Sequence, residues 1–258
     1  MNVNRMVVKV GTSTLTHSTG HLNIKRTERL VRTLSDIKNS GTELILVSSA
    51  AISAGMGKLG LPERPKELRD KQAVAAVGQV ELMRLYSSLF NQYGVTVAQI
   101  LLTKDVFDEG EREQNALATM QRLLSLGVIP VINENDTVST YEIEFGDNDT
   151  LSAHVSVLCK ADLLVILSDT EGLYDSDPRQ NPGARLISGV DEITEDIRAL
   201  AGGVGSWRGT GGMMTKVSAA DIVTKAGISA VVASGENPRI LYDIVDGKPR
   251  GTLFNAKR

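Results

Sequence analysis

The side chains best suited to chemistry lie between residues 133 and 149. Asn133, Glu134, Asn135 and Asp136 follow a β-branched run, and Asp147, Asn148 and Asp149 open a helical pattern. Asp and Asn favour turns and caps, but a turn needs one or two such residues rather than seven. Carboxylates and amides gathered at a strand end can orient an ammonium group, hold lysines in place or bind a metal. Two lysines are candidates to join them. Lys9 lies inside the apolar run MVVKV, where lysine is rare unless paired or snorkelling, and Lys216 closes the stretch GTGGMMTK (209–216).

That glycine stretch is not a P-loop. Counted from Gly209, Met214 stands where the last glycine is required and Thr215 where the lysine is required. It is not a dinucleotide fingerprint either, because Met214 again takes the place of the final glycine. The mechanics can still be shared: amides at a helix N-terminus bind anions, and a nearby lysine adds a full charge. The alternative is a flexible turn before a helix. Ser49 ends the run ELILVSS and could cap the following helix or meet a carboxylate or phosphate. G-x-S-x-G is absent, so this is no nucleophile elbow. Asp169 directly follows LLVILS, a position where a carboxylate meets a ribose or a lysine, and Gly172-Leu173-Tyr174 offers a wall for a base. Trp207 and Arg208 precede the glycine stretch; a lone Trp is more often packing. His17, His21 and His154 have neither triad nor metal spacing.

The elements that must position these groups alternate along the chain. Strands are expected at 6–10, 43–49, 95–102, 128–133, 163–168 and 229–234. Helices are expected at 24–39, 50–59 (weakened by Gly55 and Gly57), 111–126, 148–160 and 213–226, with one or two more at 66–92. Pro130 suits a strand end or edge. Strands with no polar alternation are buried on both faces, which implies a mostly parallel sheet covered by helices. The expected fold class is therefore α/β, a three-layer αβα sandwich in one domain over residues 1–258. Ligands in such sheets sit at the carboxyl ends of the strands.

Composition narrows the setting. The 258 residues carry a net charge of −3, which gives no electrostatic case for nucleic acid or acidic membranes. The only cysteine, Cys159, excludes an internal disulfide framework, suits a reducing cytoplasm and reads as core. No run approaches the ~20 apolar residues of a membrane span. The N-terminus lacks the apolar run and cleavage pattern of a signal peptide.

Taken together, KVGTS, VSSAAISAG, INENDTV, GDNDTLSA, SDTEGLYDSDPR, GTGGMMTK and GTLF (251–254) resemble the glutamate 5-kinases of the amino acid kinase family, in that order and over essentially the whole chain. The resemblance implies transfer of the ATP γ-phosphoryl group to the side-chain carboxylate of L-glutamate, the first step of proline synthesis. It implies Lys9 and Lys216 as phosphate-stabilising lysines oriented by Asp149, and Ser49, Asp136 and Asn148 as glutamate-binding residues. ATP would meet Lys9, Ser168 and Asp169, together with Thr210, Gly211, Gly212, Met213, Met214, Thr215 and Lys216. The N-terminal part would serve mainly the amino acid and the C-terminal part mainly ATP. Mg2+ is implied without a named protein ligand, as are a homo-oligomer, a cytoplasmic location and proline as a feedback inhibitor.

Two departures from the pattern stand out. Ala50 occupies a position where the family usually has glycine, which keeps the amide donor but restricts φ. The chain stops soon after GTLF, so the PUA domain of many members is not expected. Two rivals remain: another amino acid kinase acting on N-acetylglutamate, aspartate, carbamate or a nucleotide, and a nucleotide- or glutamate-binding regulator without turnover. INEND with GDND argues against the first. The complete set of Lys9, Lys216, Asp149 and Asp169 argues against the second.

Overall fold

In a computed structural model describing residues 3–17, 19–108, 110–139, 148–202, 212–248 and 250–257, the apolar runs form strands and the periodic segments form helices. Strand β1 (Arg5–Val10) leads through a single helical turn, α1 (Thr12–Leu15), to α2 (Ile24–Asn39). Asn23 caps α2 by accepting from the Arg26 amide at 3.0 Å. Strand β2 (Glu43–Ser48) is followed by α3 (Ala51–Leu59) and one long helix, α4 (Leu68–Asn91). Next come β3 (Val97–Leu102), a 3-10 turn at Lys104–Phe107, α5 (Glu111–Ser125) and β4 (Ile129–Glu134). The second half contains α6 (Asn148–Leu158), β5 (Leu163–Ser168), β6 (Gly189–Val190) and α7 (Glu195–Ala201). It ends with α8 (Met213–Lys225), β7 (Ser229–Ser234), α9 (Ile240–Val245) and β8 (Thr252–Phe254).

The strands form one sheet in the order β3-β4-β2-β1-β5-β7-β8-β6. All neighbours are parallel except β7 and β8. Alternate residues of the central strands feed two cores. Met6, Val8 and Val10 pack with α2, α4 and α9, whereas Val7 packs with α5, α6 and α8. Three layers result, as the unbroken apolar strands imply. Strand order reverses between β1 and β5, where a doubly wound sheet opens its ligand crevice. Among the described residues, no helix is long and apolar enough to cross a membrane.

Two expectations are refined: Pro130 does sit at a strand end, the start of β4, but not at an edge. Strand β4 is not an edge, because β3 lies outside it; Pro130 is tolerated near its start, one residue before the β2 ladder begins at Val131. Gly55 of α3 and Gly78 of α4 mark a helix crossing, whereas Gly57 faces His21. A Cβ on Gly78 would lie 1.7 Å from the Ala51 carbonyl oxygen, and one on Gly55 would lie 2.0 Å from that of Val74. The α3 and α4 backbones therefore touch, which only glycine permits.

Candidate active site

Period-two alternation puts Lys9 on the same face of β1 as Val7, beneath α6 and α8. There its Nζ lies 2.7 Å from Asp149 Oδ1, in the first turn of α6. Lys216, in the first turn of α8, places its Nζ 3.1 Å from Asp149 Oδ2. Thr215 Oγ1 donates to the same oxygen at 2.7 Å. Three segments remote in sequence thus meet at one carboxylate. Its burial is complete, and the lysine side chains beside it are 7% and 6% exposed. Burial alone pushes the Asp149 carboxyl up; the charges of Lys9 and Lys216, with hydrogen bonds from Lys9 and Thr215, outweigh it and hold the group at about 2. Among the described residues, two ammonium groups meet this one carboxylate, an arrangement that favours a polyanion nearby.

A second constellation lies at the ends of β2 and β4. Asn148 Nδ2 is 3.0 Å from Ser49 Oγ, 2.9 Å from Asn133 Oδ1 and 3.2 Å from the Ser48 carbonyl. Ser49 does not cap α3. Ala50 occupies that position with φ +81° and no side-chain cap, while the Ser49 amide donates to the Val10 carbonyl at 3.1 Å. A left-handed alanine is strained by ~1–3 kcal/mol, and such strain gathers at functional turns. The departure from glycine noted in the sequence therefore falls at a backbone geometry that glycine would adopt freely.

Asp136 follows β4 and is buried. Burial raises its carboxyl, Glu134 raises it further and Arg64 opposes both, for a value of about 7. No ion pair to Asp136 forms among the described residues, so the carboxylate is suited to an incoming cation. Glu134, also buried, is raised chiefly by burial, and its Oε1 lacks a hydrogen-bond partner among the described residues.

At the end of β5, buried Ser168 donates to exposed Asp169 at 3.1 Å, with no lysine beside Asp169 among the described residues. Gly212, Met213 and Met214 begin α8, with Gly212 at its N-cap. Thr210 and Gly211 lie outside the described residues, as do Asp147, Trp207 and Arg208. Cys159 is buried, and burial pushes its thiol up to about 11, well removed from nucleophile chemistry. His154 stacks on Phe107.

Sequence reasoning missed Gln79, which accepts from Asn133 Nδ2 at 2.9 Å, and Tyr86, whose hydroxyl is 2.8 Å from Ser48 Oγ. Both belong to α4. A signal existed for Gln79: it falls on the core stripe Ala75-Gln79-Leu82-Tyr86, where a polar residue needs a partner.

A sequence profile of the amino acid kinase family matches residues 4–234. A glutamate 5-kinase of Clostridium perfringens is 53% identical over 258 residues, covering 98% of this chain and 96% of that protein. One from Listeria innocua is 49% identical over 261 residues, covering 100% and 95%. One from Carboxydothermus hydrogenoformans is 54% identical over 258 residues and is matched over 69% of its own length. Among solved structures, UMP kinase from Bacillus anthracis superposes with a TM-score of 0.67 at 16% identity, covering 100% of this chain and 98% of that one. An isopentenyl phosphate kinase also gives 0.67, at 14% identity, covering 97% and 100%. At such identities the two structures speak for the fold alone.

Proposed function

The chain belongs to the amino acid kinase family, and we propose that it transfers the γ-phosphoryl group of ATP to the side-chain carboxylate of L-glutamate, giving L-glutamyl 5-phosphate and ADP. It is a phosphotransferase with a carboxyl acceptor, and the reaction is the first step of proline biosynthesis. The observation that carries the assignment of roles is the buried Lys9–Asp149–Lys216 cluster, with Lys9 on β1, the strand beside the reversal of strand order.

Phosphoryl transfer asks little covalent chemistry of the protein; it needs positioning and charge stabilisation. A glutamate carboxylate and a triphosphate repel. Lys9 and Lys216 offset that repulsion and spread the charge of the transferring group, each worth ~3 kcal/mol on the scale of a lost oxyanion donor. Asp149 keeps the lysines apart and aimed, and acts through them. The acceptor carboxylate is already ionised at neutral pH, so no general base is required. Asp136 takes the α-ammonium group, with Ser49 and Asn148 beside it. Ser168, Asp169 and residues 210–216 take the nucleotide, with the start of α8 behind the phosphates.

Mg2+ belongs to the same reading, as the ion that accompanies ATP and reduces the charge of its phosphates. Among the described residues no cluster of three His, Cys, Asp or Glu side chains could hold a metal. That suits an ion bound mainly by phosphate oxygens and water. Residues 1–258 are taken as one domain, the N-terminal part serving glutamate and the C-terminal part ATP. A cytoplasmic location, a homo-oligomer and proline feedback rest on the resemblance.

The test is incubation with ATP, Mg2+, L-glutamate and hydroxylamine, which traps an acyl phosphate as the hydroxamate. Glutamyl hydroxamate, with little product from aspartate or N-acetylglutamate, supports both reaction and substrate. Folded, ATP-binding protein that yields none overturns the acceptor assignment.

A further inference from the structure

A chain of primary amides ties the substrate-side groups to the edge of the sheet. Gln99 on edge strand β3 accepts at Oε1 from Gln79 Nε2 at 3.1 Å. Gln79 Oε1 accepts from Asn133 Nδ2 at 2.9 Å. Asn133 Oδ1 accepts from Asn148 Nδ2 at 2.9 Å and from the backbone N–H of Glu134 at 2.9 Å. Gln79, Asn133 and Asn148 are all buried.

Two members of this relay cannot reverse. A backbone N–H only donates, so Asn133 must turn its carbonyl to Glu134 and its NH2 to Gln79. A backbone carbonyl only accepts, so Asn148 must turn its NH2 toward Ser48. These fixed ends dictate the orientation of every amide between them, a choice that electron-rich O and N alone would leave open. Asn148 has two N–H hydrogens for three internal acceptors, Ser48 O, Ser49 Oγ and Asn133 Oδ1.

We infer that Gln79 is a positioning residue for the amino-acid substrate: through Asn133 it fixes the orientation of Asn148 beside Ser49, where the amino acid is read to bind. This rests on the glutamate-phosphorylating reading. Among the described residues, Gln79 supplies the acceptor for Asn133 Nδ2. Without it, a buried donor is left unmatched, and the least costly remedy is to turn or shift Asn133. Asn148 then loses its brace. The relay contains neither lysine nor Asp149, so the loss falls on the amino acid and not on ATP.

The experiment compares wild type, Gln79→Met and Gln79→Glu in the hydroxylamine assay. It records KM for L-glutamate and for ATP, kcat and melting temperature. Gln79→Met keeps the shape and removes the acceptor; it is expected to raise the glutamate KM ~10-fold and leave the ATP KM within ~2-fold. Gln79→Glu keeps an acceptor for Asn133 and is expected to recover most of that loss. A Gln79→Met protein that melts lower but keeps its glutamate KM overturns the inference, because a merely structural role predicts that pattern. So does an equal rise in both KM values, or a Gln79→Glu protein as impaired as Gln79→Met. Should Gln79→Met fail to fold, Gln99→Lys at an exposed position presses a donor on Gln79 Nε2. It is then expected to raise the glutamate KM several-fold, and an unchanged KM overturns the inference. Wild-type protein that makes no glutamyl hydroxamate overturns the acceptor assignment and this inference with it. Wild-type turnover beside an unresponsive Gln79→Met overturns the inference alone.

Discussion

Replacing Asp149 with Asn removes one charge and almost no volume at the point where β1, α6 and α8 meet. The structure allows the loss to be sized. Holding the carboxyl at about 2 rather than near 3.8 favours its ionised form by ~2 kcal/mol, after burial has been overcome. Removal also strands two buried ammonium groups, and breaking a buried pair costs ~3–5 kcal/mol. At ~2.1 cal/mol/K per residue, unfolding 258 residues carries an entropy of ~0.5 kcal/mol/K, so Asp149→Asn should melt ~6–10 °C lower at pH 7. The pH dependence has a definite sign. A depressed carboxylate stabilises the fold fully above its unfolded value near 4, and that contribution is lost as pH falls through about 2. The gap between wild type and variant should therefore narrow from pH 4 to pH 2. Turnover in the hydroxamate assay should fall ~10²-fold, because lysines no longer aimed lose their grip on the transition state. Melting by fluorimetry and steady-state kinetics read both effects. A variant that melts lower but turns over normally refutes Asp149 as the group that orients the lysines. Wild-type melting refutes the electrostatic argument itself.

Three further outcomes are expected. Ala50→Gly relieves a left-handed alanine worth ~1–3 kcal/mol against ~0.5–1 kcal/mol of added chain entropy, so it should raise the melting temperature by up to a few degrees; a lower melting point would show the turn to be unstrained. The glutamate KM should rise as pH drops below about 7, up to ~10-fold per unit, since protonated Asp136 cannot hold an ammonium group; Asp136→Asn should give a high KM with a flat profile, and the ATP KM should not follow either. Gly78→Ala forces a methyl to 1.7 Å from a backbone oxygen and should cost ~3 kcal/mol or more, read by urea denaturation; unchanged stability would mean that α3 and α4 do not touch.

Much of the architecture was legible because it is local. Apolar runs such as LLVILS declare strands buried on both faces, and all six residues of β5 are buried. The elements that escaped notice are short: β6 has two residues, β8 three, α1 four, α9 six and α7 seven, too few to display a clear period. Their stability is tertiary. Thr252 holds β8 in place by accepting from the Leu173 amide at 2.8 Å and donating to the Ile187 carbonyl at 2.7 Å. The Gly-Thr of GTLF thus has a structural use that its own neighbours do not reveal.

The chain by itself determined which chemical groups are present and on which side of each element they stand. Lys9 shares the parity of Val7, and Asp149 and Lys216 fall in the first turns of their helices. Those facts follow from backbone periodicity, which extends over a few residues. Only the tertiary structure decided that Lys9 and Lys216 would share one carboxylate, that Asn148 would reach Ser49, and that Gln79 would be turned toward Asn133. These meetings depend on strand order, register and the glycine-mediated approach of α3 to α4. Each is set by packing between distant segments, where no local period carries the information.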